Sequence, residues 1–364
     1  MTATALPGSE LLANLAAHDP RFRERTAHAL LAVEKRLLAC AADAPDPRVA
    51  ELVGHIATAG GKRLRPLLVL LGAEFGEPWR DGVVEAAVIA ELVHISSLHH
   101  DDVMDGAELR HGVASVNALW GARLAVAGGN WLLARAARLA AELGPEMVRF
   151  QADVASELVE GQLRELTGPG EGEDPVAHFF RVTSGKTAAL LAMALRAGAL
   201  HAGAPAAYGG ALDEYGRQLG VAFQISDDLL DLVAPASSTG KELGKDLAAG
   251  VPSLPVVLAA TDRRPAGAEL RELLSSGPLD DPRDRRRALD LFAASPAPAA
   301  AAAHLGHRLR LAREALGVLP PGPARRALHA LCDYVDSRVA RTADAGHRSD
   351  QQTRQGVGHA DGIG

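Results

Sequence analysis

The feature that most constrains this chain is the spacing of its apolar residues. From about residue 10 to about residue 340 they recur at helical spacing, and no stretch alternates apolar and polar residues as a half-buried strand does. No long linker interrupts the pattern. The sequence therefore predicts one large all-α domain, a helical bundle over residues 21–341, preceded by an N-terminal extension over residues 1–20.

Three interruptions of the helical pattern predict loops between helices. They are HAGAPAAYGG from residue 201, DRRPAG from residue 262 and SPAPAAAAA from residue 295, and each contains proline. The last stretch, residues 342–364, is polar and rich in glycine, so it is predicted to be a disordered tail.

Composition argues against several classes of function. The net charge is −7, which does not indicate a nucleic-acid partner. The N-terminus lacks a basic stretch followed by an apolar core, and no apolar run reaches the roughly 18 residues of a membrane span. The two cysteines, Cys40 and Cys332, are expected to be buried apolar residues in a reducing compartment. A soluble cytoplasmic protein that does not span a membrane is the expectation.

The stretch SLHHDDVMDGAELRHG, residues 97–112, places three aspartates at the predicted end of a helix that Gly106 would stop. Asp101 and Asp105 are four residues apart and share a face, with Asp102 turned partly away. Such carboxylates repel each other, and the dipole at a helix C-terminus disfavours them further. A divalent cation would relieve both effects, but a solvated acidic helix end explains this motif alone equally well.

A second copy of the pattern favours the metal. In VAFQISDDLLDLV, residues 221–233, an apolar helical run leads into Asp227, Asp228 and Asp231, again with two carboxylates four apart. If the two motifs faced each other across a bundle, they would form a basin of six carboxylates. Mg²⁺ suits such a basin, with Mn²⁺ as a substitute, because it uses few carboxylates per ion and takes other ligands from water and phosphate.

Cations recur at other helix ends, as a metal-bound diphosphate would require. They are Lys62, Arg63 and Arg65 in GGKRLRP, Arg110 after the first motif, Lys186 beside Thr187 in SGKTAALL, and Lys241 and Lys245 in TGKELGKDL. His94 lies two helical turns before Asp101 on the same stripe. Each cation alone is typical of a solvated charge or a helix start, and their repetition beside the carboxylates favours a diphosphate ligand.

In this order and at these separations, GGKRLRP, HHDDVMD, GKTAAL and FQISDDLLD resemble the motifs of the trans-type isoprenyl (polyprenyl) diphosphate synthases. The resemblance covers about residues 25 to 340. It implies an all-α bundle of the isoprenoid synthase type around a central apolar cavity, assembled as a homodimer. It also implies a Mg²⁺-dependent transferase that condenses isopentenyl diphosphate with an allylic diphosphate, head to tail, with release of inorganic diphosphate.

The resemblance assigns roles to individual residues. The implied principal metal ligands are Asp101, Asp105 and Asp227, and the implied catalytic residues are these three with Asp102, Asp228, Asp231 and Lys186. The residues that match the allylic diphosphate site are Arg110, Lys186 and Lys241, with Gln224 as a diphosphate-side contact and Thr187 as a further substrate-binding residue. Those that match the isopentenyl diphosphate site are Lys62, Arg65, His94 and His111. Gln162 and Glu165 match a polar pair that lines the cavity.

Three positions depart from the family pattern. His111 and Val251 replace an arginine and a lysine, and Asn130 replaces an aspartate. The first two changes remove firm positive charge and weaken the case for ordinary affinity for isopentenyl diphosphate. Sequence drift without consequence is the alternative, because the other residues of that site are retained.

Small residues beneath the first motif predict a long product. A rise of about 1.5 Å per residue places Ser97 roughly 6 Å below Asp101, with Ser96 beside it. In the family, bulky aromatic residues here stop chain growth at farnesyl diphosphate. The first motif also lacks the two-residue insertion of some short-chain bacterial enzymes. The sequence therefore predicts an all-trans product of geranylgeranyl length or longer.

Four other functions stay open at this point. A class I terpene cyclase would share the ionisation step, but its second metal motif normally mixes Asn, Ser or Thr with Glu. A prenyltransferase with a non-isoprenoid acceptor fits the changes at His111 and Val251. An HD-type phosphohydrolase would use HHDD but leaves DDLLD unexplained, and a non-catalytic partner subunit should have lost some of the six aspartates.

Overall fold

The computed structural model describes residues 9–15, 19–233 and 243–356, and these residues are almost all helical. The first five helices, α1 to α5, are Ser9–Leu15, Pro20–Ala42, Pro47–Thr58, Leu64–Ala73 and Val83–Met104. A short antiparallel hairpin of β1 and β2 follows, Leu109–Arg110 with Val113–Ala114. The predicted all-α class is confirmed.

Twelve further helices complete the described part of the chain. Helices α6 to α11 are Val116–Trp120, Ala122–Leu143, Pro145–Thr167, Pro175–Thr183, Ala189–His201 and Ala206–Val233. A π-helical turn, Ser184–Ala188, joins α9 to α10. Helices α12 to α17 are Lys245–Ala249, Leu254–Thr261, Ala268–Ser275, Pro282–Ala294, Ala297–Ala315 and Pro323–Gly356.

The chain divides into two compact units. The first unit contains Met1–Glu160, Ala188–Arg217 and Arg313–Leu331, and the second contains Gly161–Thr187, Gln218–Ala312 and Cys332–Gly364. The sequence shows no domain boundary at this division, because each unit contains three separate stretches of the chain. The first aspartate motif lies in the first unit and the second motif in the second unit. Each is therefore described within its own unit, and the predicted domain limits stay a prediction.

Helix α5 is the centre of the first unit. Its residues from Val83 to Val93 are buried on nearly every side, and it packs against α2, α4, α7 and α10. Helices α4 and α10 approach each other backbone to backbone, since a Cβ on Gly198 would lie 1.9 Å from the carbonyl oxygen of Val69. This packing fixes α5 in place, so the aspartates at its C-terminal end have a rigid support.

The second unit has its own apolar cluster around the segment that follows α11. Leu232 at the end of α11 and Leu247 on α12 pack with residues of α14 and α15, including Leu270 and Phe292. The cluster ties the helices after the second motif to the end of α11. It therefore positions the backbone groups that meet the second set of aspartates.

Two sequence predictions about helix limits have different outcomes in the structure. The predicted loop SPAPAAAAA is wrong for most of its length, because α16 begins at Ala297 and Pro298 falls in its first turn, where proline costs no hydrogen bond. At the other end, α17 continues to Gly356, while residues 357–364 lie outside the described part. The predicted disorder of residues 342–364 stays a prediction.

Two expectations about burial and membrane crossing can be compared with the structure. Within the described residues Cys40 and Cys332 form no disulfide, and both are buried, as predicted. Within the described ranges, no helix combines the length and the apolar character needed to cross a membrane.

Candidate active site

The first aspartate motif ends α5 as its sequence predicts. The Asp105 N–H donates to the Asp101 carbonyl at 2.8 Å, and Gly106 stops the helix with a positive φ of 61°. Asp102 is fully buried and accepts from Nε and Nη2 of Arg110 on β1, at 2.9 and 2.5 Å. Asp101 is half-buried and Asp105 exposed. The inner aspartate of this motif thus has an internal partner, and the outer two face the surface of their unit.

Arg63 does not belong to the anion-binding cations that the sequence predicted in GGKRLRP. Its side chain is 3% exposed and points inward, where Nε and Nη2 donate to Glu34 on α2 at 2.7 and 2.8 Å. Nη1 donates to Glu91 on α5 at 3.0 Å. Arg63 also starts α4 in the left-handed region, with a φ of 46°. These bonds fix the loop that presents Lys62, which is exposed, and Arg65.

Arg65 and His94 form one hydrogen-bonded pair. Nη1 of Arg65 lies 3.0 Å from Nε2 of His94. Desolvation, and then the charge of Arg65, hold the pKa of His94 well below its ordinary value, so the imidazole is neutral and its Nε2 accepts. His94 therefore orients Arg65 instead of adding positive charge for an anion.

His111 lies against the glycine turn that leads into GGKRLRP. A Cβ on Gly61 would lie 3.2 Å from Cε1 of the imidazole, which is tighter than an ordinary contact, and Gly61 has a positive φ of 134°. Desolvation and then the charge of Arg110 lower the pKa of His111. The imidazole is consequently neutral near pH 7, and it brings less positive charge than the arginine that the family pattern has at this position.

The second aspartate motif uses two of its three carboxylates to hold the chain that follows it. Asp228 accepts from the backbone N–H of Leu254 at the start of α13 and from Nε2 of Gln224, both at 2.9 Å. Asp231 accepts from the backbone N–H groups of Lys245 and Asp246, which begin α12, at 3.1 and 2.9 Å. These bonds satisfy donors that a helix start leaves without partners.

Asp227, the remaining aspartate of this motif, meets a side chain that the sequence did not single out. Nη2 of Arg338 on α17 donates to its Oδ1 at 2.5 Å. The same guanidinium lies over the ring of Phe223, 4.9 Å from its centroid. Phe223 precedes Asp227 by one helical turn, so the two present one face of α11 to Arg338.

Lys186 and Thr187 lie on the π-helical turn before α10. A Cβ on Gly161 would lie 2.6 Å from the backbone nitrogen of Lys186, so this glycine allows α8 to pack directly against the turn. Lys186 Nζ donates to Glu165 Oε2 at 2.5 Å. Thr187 Oγ1 donates to Gln224 Oε1 at 3.2 Å. Single π-helical turns occur often at functional sites, which agrees with the predicted roles of both residues.

Gln224 is held at both ends of its amide. Its Oε1 accepts from Thr187, and its Nε2 donates to Asp228. The sequence predicted that Gln224 contacts a diphosphate, whereas in the structure it links the π-helical turn to the second aspartate motif. Lys241, the other predicted contact of the allylic diphosphate in this region, lies outside the described residues.

The carboxylates of the second motif are crowded with negative charge. Burial, and then the neighbouring aspartates, raise the pKa of Asp246 to about 7. Burial is also the largest cause that raises the pKa of Asp228 to about 6, against hydrogen bonds that lower it. A divalent cation with oxygen preference would relieve this repulsion, so the donor set fits Mg²⁺. Across the described ranges, no three His, Cys, Asp or Glu side chains already form a metal cage.

Sequence reasoning found the two motifs but missed residues that act on them. Glu34 and Glu91 hold the GGKRLRP loop through Arg63, and Arg338 binds Asp227. Asp246, which the sequence places after the second motif in TGKELGKDL, adds a carboxylate to that motif. Glu91 had a local signal, since a buried charge within the apolar run EAAVIAELVHI needs a partner. Arg338 had none, because 111 residues separate it from Asp227.

An all-α chain with paired aspartate motifs and arginine and lysine beside them has the features of an enzyme that handles prenyl diphosphates, and comparison with known proteins agrees. A family model described as polyprenyl synthetase matches residues 46–291. The nonaprenyl diphosphate synthase of Mycobacterium tuberculosis is 43% identical over 285 residues, 78% of this chain and 85% of that relative. Component 2 of the heptaprenyl diphosphate synthase of Geobacillus stearothermophilus is 34% identical over 310 residues, 85% of this chain and 95% of that relative.

A solved structure shares the fold. The geranylgeranyl pyrophosphate synthase of Corynebacterium glutamicum, crystallised with calcium and isoprenyl diphosphate, matches with a TM-score of 0.80 and 38% identity. The match covers 88% of this chain and 98% of that one. The chain belongs to the polyprenyl synthetase family, and it is a transferase of prenyl groups. The predicted family, fold and enzyme class are confirmed, and the HD-type phosphohydrolase is set aside.

Proposed function

We propose that this protein condenses isopentenyl diphosphate with an allylic diphosphate, head to tail, to give an all-trans polyprenyl diphosphate. Mg²⁺ is the proposed cofactor, replaceable by Mn²⁺. The proposed ligands are Asp101 and Asp105 in the first unit and Asp227 in the second. One observation carries this assignment beyond family membership. In each motif the second aspartate is buried and bonded within its own unit, whereas Asp101, Asp105 and Asp227 are all more exposed than that buried residue.

The reaction begins when the allylic C–O bond breaks and leaves an allyl cation and a diphosphate anion. Bound Mg²⁺ supplies a Lewis acid that stabilises the charge developing on the diphosphate. The resemblance assigns Arg110 and Lys186 to the allylic diphosphate, where each would add fixed positive charge. Within the first unit Asp102 holds Arg110 in position, and within the second unit Glu165 holds Lys186.

The second half of the reaction forms the new carbon–carbon bond. Lys62 and Arg65 bind the diphosphate of the isopentenyl substrate, and neutral His94 orients Arg65. The isopentenyl double bond attacks the allyl cation, and a proton passes to the released diphosphate. Water would quench the cation, so the reaction needs an apolar wall. Helix α10, whose residues from Ala189 to Leu195 are buried, supports that role.

The product is proposed to be of geranylgeranyl length or longer, which agrees with the names of the relatives. The structure changes the argument from the two serines under the first motif. Ser96 is buried, and its hydroxyl donates to the carbonyl of Gly129 on α7 at 2.8 Å, so it belongs to a helix contact. Ser97 is half-buried and bonds only within its own helix, to the His94 carbonyl at 2.8 Å. Ser97 therefore remains the candidate for the pocket floor.

Ser97→Phe tests this floor directly. The aromatic ring is expected to shorten the product by at least one isoprene unit, with Ser97→Ala as the control of unchanged length. Chromatography of the dephosphorylated products measures the length. A Phe variant that is folded, active and unchanged in product length would place the floor elsewhere.

A second copy of this chain is the proposed partner. The outer side of α8 exposes Val159, Leu163 and Leu166, which are spaced as one helical stripe and are 58%, 55% and 60% exposed. An apolar stripe of this kind is typical of an interaction surface. Sedimentation of the wild type and of Leu163→Glu measures the state, and a wild-type monomer would contradict the homodimer. A cytoplasmic location also stays a prediction.

The reaction is tested with purified protein, labelled isopentenyl diphosphate, Mg²⁺ and each allylic primer from dimethylallyl to geranylgeranyl diphosphate. The expected result is a labelled polyprenyl diphosphate that disappears in excess chelator. Cyclised hydrocarbon products would support the terpene cyclase instead. If the primer ionises without incorporating label, the acceptor is a non-isoprenoid compound, which the neutral His111 would favour. Activity that appears only with an added second protein would identify a partner subunit.

A further inference from the structure

The contact between Arg338 and Asp227 links the last helix to the second aspartate motif. Nη2 of Arg338 donates to Oδ1 of Asp227 at 2.5 Å. The Arg338 side chain is 19% exposed and that of Asp227 is 44% exposed. The guanidinium is therefore largely desolvated while the carboxylate stays open to solvent on its other side, so other cations can reach the carboxylate.

The three aspartates of this motif differ in what holds them. Asp228 and Asp231 accept from backbone N–H groups, and Asp228 also accepts from the Gln224 amide. Backbone donors at helix starts cannot leave without disrupting the helices α12 and α13 that they begin. A guanidinium at the end of a flexible side chain can leave by changing rotamers. Of the hydrogen bonds described for this motif, those donated by the side chains of Arg338 and Gln224 can open by a rotamer change, and of these two the Arg338 bond joins opposite charges.

The ring of Phe223 is a second contact of the Arg338 guanidinium. The guanidinium carbon lies 4.9 Å from the ring centroid, within the range of a cation–π contact. Since Phe223 and Asp227 are one turn apart on α11, a small rotation about the side-chain bonds separates Arg338 from the carboxylate without removing it from the ring. The ring contact can therefore hold the guanidinium after the ion pair opens.

We propose that Arg338 competes with the divalent cation for Asp227. This proposal rests on the metal role assigned to Asp227 above. Mg²⁺ binds a carboxylate oxygen at about 2.1 Å, and a guanidinium on the same oxygen would repel it. Metal binding at Oδ1 therefore requires Arg338 to release Asp227, and the ion pair raises the cation concentration at which Asp227 binds a metal ion.

The competition is tested by measuring Mn²⁺ affinity from the electron paramagnetic resonance signal of free Mn²⁺. Arg338→Gln removes the competitor and is expected to tighten Mn²⁺ binding about two- to fivefold, the range of a partly exposed ion pair. Arg287→Gln is the matched control, because Arg287 pairs with Glu269 through two bonds of 2.7 Å and touches neither motif. Thermal unfolding of each variant checks that the fold is retained.

A double-mutant cycle with Asp227→Asn separates competition from a structural role. If Arg338 acts by competing for the carboxylate, Arg338→Gln has no effect on Mn²⁺ binding in the Asp227→Asn background. The proposed competition is contradicted if Arg338→Gln still changes Mn²⁺ binding in the Asp227→Asn background. It is also contradicted if Arg338→Gln alone binds Mn²⁺ as the wild type does or more weakly. The proposed metal role fails separately, when Asp227→Asn alone binds Mn²⁺ and turns over substrate as the wild type does.

Discussion

The two aspartate motifs have the same spacing of carboxylates, yet different groups hold them in place. In the first motif the buried Asp102 is neutralised by a guanidinium, since Arg110 donates two bonds to it. In the second motif the buried Asp228 accepts from a backbone N–H and an amide, neither of which carries a charge. Its pKa is accordingly raised to about 6, with burial as the largest cause.

This difference shows that the repeated pattern is not a set of six equivalent metal ligands. In both copies the middle aspartate anchors the chain that follows, a hairpin in the first unit and helix α13 in the second. The outer Asp231 also anchors the chain, at the start of α12, so the proposed metal ligands are Asp101, Asp105 and Asp227. The first motif should therefore depend on charge for its stability, whereas the second should tolerate loss of charge at its anchor.

The largest expected effect is the loss of turnover when an outer aspartate is replaced. Asp101→Ala and Asp227→Ala should each lower turnover by about a thousandfold or more, because a proposed metal ligand is lost. The melting temperature of Asp101→Ala should stay near that of the wild type, since removing a carboxylate from an acidic cluster relieves repulsion. That of Asp227→Ala should fall, because Arg338, 19% exposed, loses its carboxylate partner. Initial rates with labelled isopentenyl diphosphate and circular dichroism melts measure the two quantities. Wild-type turnover in either variant would contradict the metal assignment.

The next largest expected effect is on stability, when the buried middle aspartates Asp102 and Asp228 are replaced. Asp102→Asn leaves the charge of Arg110 without its partner and should lower the free energy of unfolding by about 2–3 kcal/mol. The pKa of Asp228 is raised to about 6, so at pH 8 its negative charge already destabilises the folded state. Asp228→Asn removes this charge and should therefore change the free energy of unfolding by less than about 1 kcal/mol. Urea unfolding at pH 8 measures both. Equal losses in the two variants would remove the distinction between the motifs.

The charge crowding of the second motif should appear as a pH dependence. The pKa of Asp246 is raised to about 7, so the folded protein holds a proton that the unfolded chain releases near pH 4. The free energy of unfolding therefore falls as pH rises from about 4 to about 7. Asp246→Asn should recover about 1–2 kcal/mol at pH 8 in chelator and leave stability at pH 4 unchanged. A pH profile parallel to that of the wild type would show that Asp246 is not the group responsible.

The smallest effect concerns the isopentenyl side of the first unit. Because the His111 imidazole is neutral near pH 7, His111→Arg adds a positive charge and should lower the KM for isopentenyl diphosphate a few fold. The KM for the allylic primer should change little. Steady-state kinetics with each substrate varied in turn measures both. If neither constant moves, His111 does not contact the isopentenyl substrate or the acceptor is a different compound.

The sequence predicted the parts of the fold and site that depend on local pattern. Apolar spacing predicted the helices, and Gly106 predicted where α5 stops. The same local reasoning failed at SPAPAAAAA, where prolines suggested a loop although Pro298 lies in a first helical turn that accepts it.

Contacts between distant residues could not be predicted. Arg63 was expected to face an anion, but Glu34 and Glu91, 29 and 28 residues away, turn it inward. The pairing of Arg338 with Asp227 spans 111 residues. Such pairs depend on how helices pack, which neither spacing nor composition reveals, so the sequence located the motifs and left their internal partners undetermined.

The number of Mn²⁺ ions bound per chain tests the division between outer and inner aspartates most directly. It can be counted by electron paramagnetic resonance in the presence of inorganic diphosphate for the wild type, Asp101→Ala, Asp227→Ala and the folded inner variants Asp102→Asn and Asp228→Asn. The outer variants should each lose at least one ion, and the inner variants should keep the wild-type number. Loss of metal from the inner variants with full binding by the outer ones would contradict the account.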